Sequence, residues 1–86
     1  MKFAVVFGYE HHERLADVRP AHREYLASLK AQGKLVAAGP FIDDSGALII
    51  YEAEDEEEVI AIIEHDPLHE VGVFATYLIR PWIQVF

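Results

Sequence analysis

Cysteine is absent from the 86 residues, which excludes thiol catalysis, thiolate metal ligation and a disulfide framework. Positive charge is scarce. Seven Lys and Arg stand against fifteen Asp and Glu, a formal charge of -8. Such a field repels phosphate backbones, so nucleic acid and anionic membrane surfaces are not expected partners. No apolar run approaches the roughly 20 residues of a membrane span. The apolar stretch Met1–Phe7 is too short, and lacks the small-residue cleavage site, to read as a signal peptide, so a cytoplasmic location is expected. The five glycines are scattered and build no phosphate-cradling loop. No serine sits in a nucleophile-elbow context.

What is present suits a compact fold. Hydrophobic residues make up 52% and charged residues 26%, which argues against disorder, and the length gives one domain over residues 1–86. Phe3–Tyr9 is β-branched and aromatic and reads as a first strand, followed by a polar loop through Arg14. Asp17 reads as the N-cap of a first helix, with Pro20 in its first turn. His22, Tyr25, Leu26 and Leu29 then fall at i, i+3, i+4 and i+7 on one helical face, and Gly33 stops the helix. Leu35–Phe41 reads as strand two, Asp43-Asp44-Ser45-Gly46 as a turn, and Ala47–Tyr51 as strand three. The acidic run Glu54–Glu58 opens a second helix, where negative charge suits the positive end of the macrodipole. Val59, Ile62, Ile63 and Asp66 share a face of it, and Pro67 ends it. Leu68–Gly72 reads as a turn and Val73–Ile79 as strand four, bending at Arg80-Pro81 before Trp82–Phe86.

The order βαββαβ predicts an α+β, ferredoxin-like antiparallel sheet of order 4-1-3-2, with both helices on one face. The central strands carry consecutive apolar residues, Val5-Val6-Phe7 and Leu48-Ile49-Ile50, where a half-solvated sheet should alternate. The chain has no spare segment to cover the second face. A homodimer packed through the sheets is therefore expected, with higher assembly left open.

This topology brings the start of the first helix and the end of the second to one end of the molecule. His22 and Asp66 both lie on inward faces there, near Tyr9, Arg19, the Gly39-Pro40 bend, Phe41 and the Asp43-Asp44 turn. A carboxylate that accepts from one imidazole nitrogen fixes the tautomer and frees the other nitrogen for proton transfer. Asp66 would also place negative charge at the negative end of a helix dipole, which local stability does not favour. The same pair serves equally well as a core-edge lock without chemistry. Tyr9, Arg19, Gly39, Pro40 and Phe41 are the candidate substrate contacts. Core packing accounts as well for Tyr9, Tyr25 and Phe41, and solvent exposure as well for Arg19. Turn chemistry explains Asp43 and Asp44. His11-His12 and His65 with His69 have a metal-like spacing, but Pro67 disrupts the helix that would align the latter pair. No metal and no cofactor is expected.

Several segments, each weak alone, occur together in a recognisable order. Arg19-Pro20-Ala21-His22, Tyr25-Leu26, Leu35 to Gly39-Pro40, Asp66-Pro67, Gly72-Val73-Phe74 and Arg80-Pro81-Trp82 resemble the YciI-like (YCII-related) family across essentially the whole chain. The resemblance implies a ferredoxin-like fold, dimers whose sheets pack into an α/β barrel, and a His–Asp active-site pair that maps onto His22 and Asp66. One characterised relative dehydrochlorinates a chlorinated hydroxyquinol, and the fold also resembles muconolactone isomerases. The chain departs from the family in its short turn between strands two and three. It departs again at Leu68-His69, where relatives often carry an aromatic residue.

Together these readings favour a small, cofactor-independent enzyme, of isomerase or lyase type, acting by proton transfer on a small cyclic or phenolic metabolite. A non-catalytic dimer that binds a small ligand or serves as a scaffold is the alternative.

Overall fold

The computed structural model describes all 86 residues. Strand β1 spans Lys2–Tyr9, helix α1 Leu15–Ala31, β2 Leu35–Pro40, β3 Gly46–Glu52, α2 Glu56–Glu64, the one-turn helix α3 Pro67–Glu70, and β4 Phe74–Trp82. The strands form one antiparallel sheet of order β2-β3-β1-β4, the ferredoxin-like arrangement expected from the element order. Phe3, Val5, Phe7 and Tyr9 alternate inward along β1, opposite Tyr51, Ile49 and Ala47 of β3, and all seven are buried. The helices cover this face. Leu15, His22 and Leu29 of α1 are buried at seven-residue intervals, and Val59, Ile62 and Ile63 of α2 at i, i+3 and i+4.

The helix ends follow local chemistry. Asp55 caps α2 by accepting the Glu58 amide at 2.9 Å, and Glu58 reaches back to the Glu54 amide at 2.7 Å. Helix α1 ends in a Schellman motif. Gly33 sits at φ 75, its amide bonds to Lys30, and the Lys34 amide bonds to Leu29.

Four expectations from the sequence are corrected. Helix α1 starts one turn earlier than an Asp17 cap requires. Arg14 holds the cap position, after a 3-10 turn over His12–Arg14 in the segment read as loop, and Asp17 lies in the first helical turn. Burial of Leu15 in the core extends the helix backwards, which leaves Pro20 inside it rather than in its first turn. Second, Asp66 is not in the last turn of α2, which stops at Glu64. It is the N-cap of α3, a helix where the sequence suggested a turn. Third, β4 does not bend at Pro81 but runs through to Trp82, with Pro81 opposite Phe3. β4 is an edge strand, so a residue without an amide proton costs it no second ladder. Fourth, β2 ends at Pro40, leaving Phe41 in the turn.

The face without helices is apolar in a row. Val6 of β1 lies directly between Leu48 of β3 and Leu78 of β4, and these three are 45%, 40% and 58% exposed.

Candidate active site

His22 occupies a core position of the α1 stripe and is only 7% exposed. Its Nδ1 lies 2.8 and 2.9 Å from the two oxygens of Asp66, which is fully buried. The edge of the imidazole meets the Phe74 ring at 5.7 Å and 90°, and Phe74 itself stacks on Phe7 at 4.0 Å. A hydrogen bond on one side and an aromatic wall on the other hold the ring. As a carboxylate Asp66 can only accept, so Nδ1 donates, and in the neutral ring Nε2 carries the lone pair. No protein group bonds Nε2, and it is not among the buried unpartnered atoms. It is open to the cavity that His22 lines.

Asp66 is held by a short structural device of its own. Its Oδ1 accepts the Leu68 amide at 2.9 Å as the N-cap of α3, and Pro67 follows at the first helical position, where a missing amide proton costs nothing. Gly72 closes α3 with φ 81. Its amide bonds to His69 and the Val73 amide to Leu68, a second Schellman motif, while Leu68 and Val73 are both buried. The carboxylate therefore sits at the positive end of a short helix and has a local reason to be there. That overturns the expectation that its placement opposes the helix dipole.

The charge of Asp66 is felt by three phenols. Tyr25 donates to the Ile62 carbonyl at 2.6 Å, and its pKa is raised by burial and then by the negative charge of Asp66. Tyr51 is pushed up more strongly, again by burial first and Asp66 second, and its hydroxyl is a buried group without a partner. Tyr9 is raised by burial, against the pull of the adjacent Arg19 guanidinium. All three remain neutral donors at physiological pH.

The cavity has a volume of about 410 Å³. Of the candidate substrate contacts, Tyr9, Arg19, Gly39 and Pro40 line it together with His22. Phe41 does not. It borders a separate groove with Leu48 and Ile50, because the chain turns outward after Pro40. Arg19 is half-buried and paired with Asp44 at 3.1 Å, which ties the Asp43-Asp44 turn to the cavity rim. Asp43 instead accepts from the Ser45 amide at 3.0 Å and hydroxyl at 2.7 Å, and these bonds lower its pKa. Arg23 and Lys30, which sequence reasoning passed over, also line the cavity, as do Ala37 and Ala38. The only signal for the two cations was their spacing from His22 along one helix. No three His, Asp or Glu side chains converge as metal ligands, and no helix is long and apolar enough to cross a membrane.

Comparisons with known proteins agree with this architecture. A family model described as the YCII-related domain matches residues 1–83. Protein YciI of Escherichia coli O6:H1 is 32% identical over 84 residues, covering 86% of each chain. An uncharacterized protein of Haemophilus influenzae is 33% identical over 84 residues, covering 86% of this chain and 85% of its own. Among solved structures, 5-chloro-2-hydroxyhydroquinone dehydrochlorinase (TftG) from Burkholderia phenoliruptrix AC1100, in complex with 2,5-dihydroxybenzoquinone, superposes with a TM-score of 0.84. It is 31% identical, and the match covers 96% of this chain and 94% of that one. An antibiotic biosynthesis monooxygenase shares the fold alone, at TM-score 0.58 and 15% identity. With the family model spanning nearly its whole length, and a His–Asp pair at one end of a ferredoxin-like sheet, this chain belongs to the YCII-related, YciI-like family.

Proposed function

We propose that this protein is a small, cofactor-independent enzyme that moves a proton with His22 and Asp66. The carrying observation is an imidazole fixed through Nδ1 by a buried carboxylate while its Nε2 opens into a cavity. In this reading Nε2 takes a proton from a carbon beside a carbonyl, or beside the carbonyl of a hydroxyquinol's keto tautomer, and Asp66 stabilises the imidazolium that forms. The released electron pair becomes a carbon–carbon double bond. Either the proton returns at another carbon, an isomerisation, or a leaving group such as chloride departs with its bonding pair. The likeness to a dehydrochlorinase at 31% identity supports a small cyclic or phenolic substrate. Tyr9, a neutral phenol on the cavity wall, would donate to the oxygen on which charge develops.

The test follows exchange of carbon-bound hydrogen for deuterium, by proton NMR, in a panel of cyclic ketones and hydroxyquinols. The panel includes 5-chloro-2-hydroxyhydroquinone with chloride release as a second readout. His22→Ala should lower any rate found by about 10²–10⁴-fold while the protein stays folded. Turnover that survives this substitution refutes the mechanism, and ligand binding without turnover would leave a non-catalytic binding module.

We further propose that the functional unit is a homodimer closed through the open sheet face. A second copy offers the same Leu48-Val6-Leu78 row, a self-complementary surface of the kind a two-fold axis needs.

A further inference from the structure

The cavity beside His22 has the opposite electrostatic character to the rest of the chain. Acids outnumber bases fifteen to seven overall, yet the residues lining the cavity include Arg19, Arg23 and Lys30 and not one Asp or Glu. Arg19 is neutralised by Asp44 at 3.1 Å. Arg23 and Lys30 take part in no ion pair, although the surface carries many carboxylates. Lys30 also lies in the last turn of α1, where a cation suits the helix dipole. Arg23 has no such role, and both cations stand free over one cavity in a molecule whose net field repels anions.

Their positions are specific. Arg19, Arg23 and Lys30 are spaced i, i+4 and i+11 along α1, three turns on one side of the helix, with His22 beside the first two. Arg23 and Lys30 are about 10 Å apart along the axis, so their long side chains can meet over a point about one turn beyond the imidazole. Facing them across the cavity, β2 presents Ala37, Ala38 and Gly39. A methyl group added at Gly39 would meet no atom within 4 Å. One wall is thus cationic and the other small, apolar and unobstructed.

We propose that Arg23 and Lys30 form an anion subsite that selects a carboxylate-bearing substrate and sets its carboxylate about one helical turn from the proton that His22 moves. This rests on the acid–base reading of His22 for the identity of the substrate but not for the binding itself. The guanidinium of Arg23 would grip the two oxygens bidentately and Lys30 would add a mobile point charge. A cyclic monocarboxylate then lies with its ring on the Ala37–Gly39 wall and its far edge at Nε2.

The test uses three probes on nitrogen-15-labelled protein: the isosteric pair benzoate and neutral benzamide, and inorganic phosphate as a ring-free anion. Benzoate should shift the backbone amides of His22, Arg23, Ala38 and Gly39, and bind about tenfold more tightly than benzamide. Phosphate, lacking a ring, should bind more weakly than benzoate. The double variant Arg23→Gln/Lys30→Gln should lose the tenfold preference while benzamide binding is unchanged. The proposal is overturned by equal binding of benzoate and benzamide, or by no response to benzoate up to its solubility limit. It is also overturned if the double variant keeps the preference; loss of the preference in His22→Gln would then identify the imidazolium as the anion receptor. Failure of the catalytic reading shows separately, as turnover that persists without His22.

Discussion

Asp66 joins two groups through one carboxylate: His22 Nδ1 at 2.8 and 2.9 Å and the Leu68 amide at 2.9 Å. The residue that orients the imidazole is also the cap that starts α3. Position and chemistry are therefore inseparable at this site, and substitutions that split the two functions become informative.

Asparagine at this position keeps an oxygen for the cap, whereas alanine keeps nothing. Asp66→Ala should cost roughly 2–4 kcal/mol, combining a lost N-cap with a buried, unpartnered Nδ1. Asp66→Asn should cost about 1 kcal/mol less, because asparagine caps as well as aspartate. Urea denaturation of both variants distinguishes them. Equal losses would mean that the cap contributes nothing and the contact with His22 everything.

The bonding pattern also fixes a tautomer. In wild-type protein the nitrogen-15 spectrum of the His22 ring should show the proton on Nδ1 and a lone pair on Nε2 whenever the ring is neutral. In Asp66→Ala the two tautomers should both be populated, as no group then selects between them. A wild-type ring protonated at Nε2 would remove the base from the cavity and with it the proposed mechanism.

Why some of this was legible in the sequence and some was not has physical causes. His22 was placed correctly because helical periodicity puts it on the same stripe as Leu29 whatever the helix start. The sheet order followed from element order and crossover handedness. Asp66 was assigned to the wrong helix because a four-residue helix has no periodicity to read. Its signals were the cap aspartate, Pro67 at the first position and Gly72 past the end. The start of α1 was misplaced because burial of Leu15 overrode the local preference of Pro20. Nothing in the sequence singles out Arg23 and Lys30, since only β2 folded against α1 makes a cavity beside them.

Tyr51 offers a test of the core around the dyad. Its hydroxyl is buried without a partner, and the residue is fully buried. Tyr51→Phe removes an unsatisfied group and leaves none behind, so stability should hold or rise by up to about 1 kcal/mol. A loss larger than about 1 kcal/mol in the same urea titration would show that the hydroxyl is bonded, with an internal water bridging it to a neighbouring polar group.

Acid stability should carry the signature of Glu52. The amino terminus and the Lys2 ammonium both bond its carboxylate, the second at 3.2 Å, and they lower its pKa below the ordinary 4.5. A carboxylate with a depressed folded pKa contributes stability that is present above its unfolded value and lost as pH falls through the folded one. Glu52→Gln should therefore lower stability near neutrality and flatten its dependence on pH below about 4.5. The group is exposed and the effect should shrink in high salt. An unchanged acid limb would mean that the terminal ammonium makes no lasting bond there.

The open sheet face supplies the last prediction. Leu48, Val6 and Leu78 form a continuous row across three strands, and the registers Val6↔Leu48 and Val6↔Leu78 bring them side by side. A second molecule packed on this face would bury all three. Val6→Lys places a charge in the middle of that row, while in a monomer the lysine would simply extend into water. If the face is the dimer contact, sedimentation velocity should show wild-type protein as a dimer and Val6→Lys as a folded monomer. A wild-type monomer at micromolar concentration would refute the dimer, and a variant that stays dimeric would move the contact elsewhere. The site test is coupled to this one. Val6 points away from His22, so any loss of activity in a folded Val6→Lys monomer would mean that assembly, and not the single chain alone, completes the cavity.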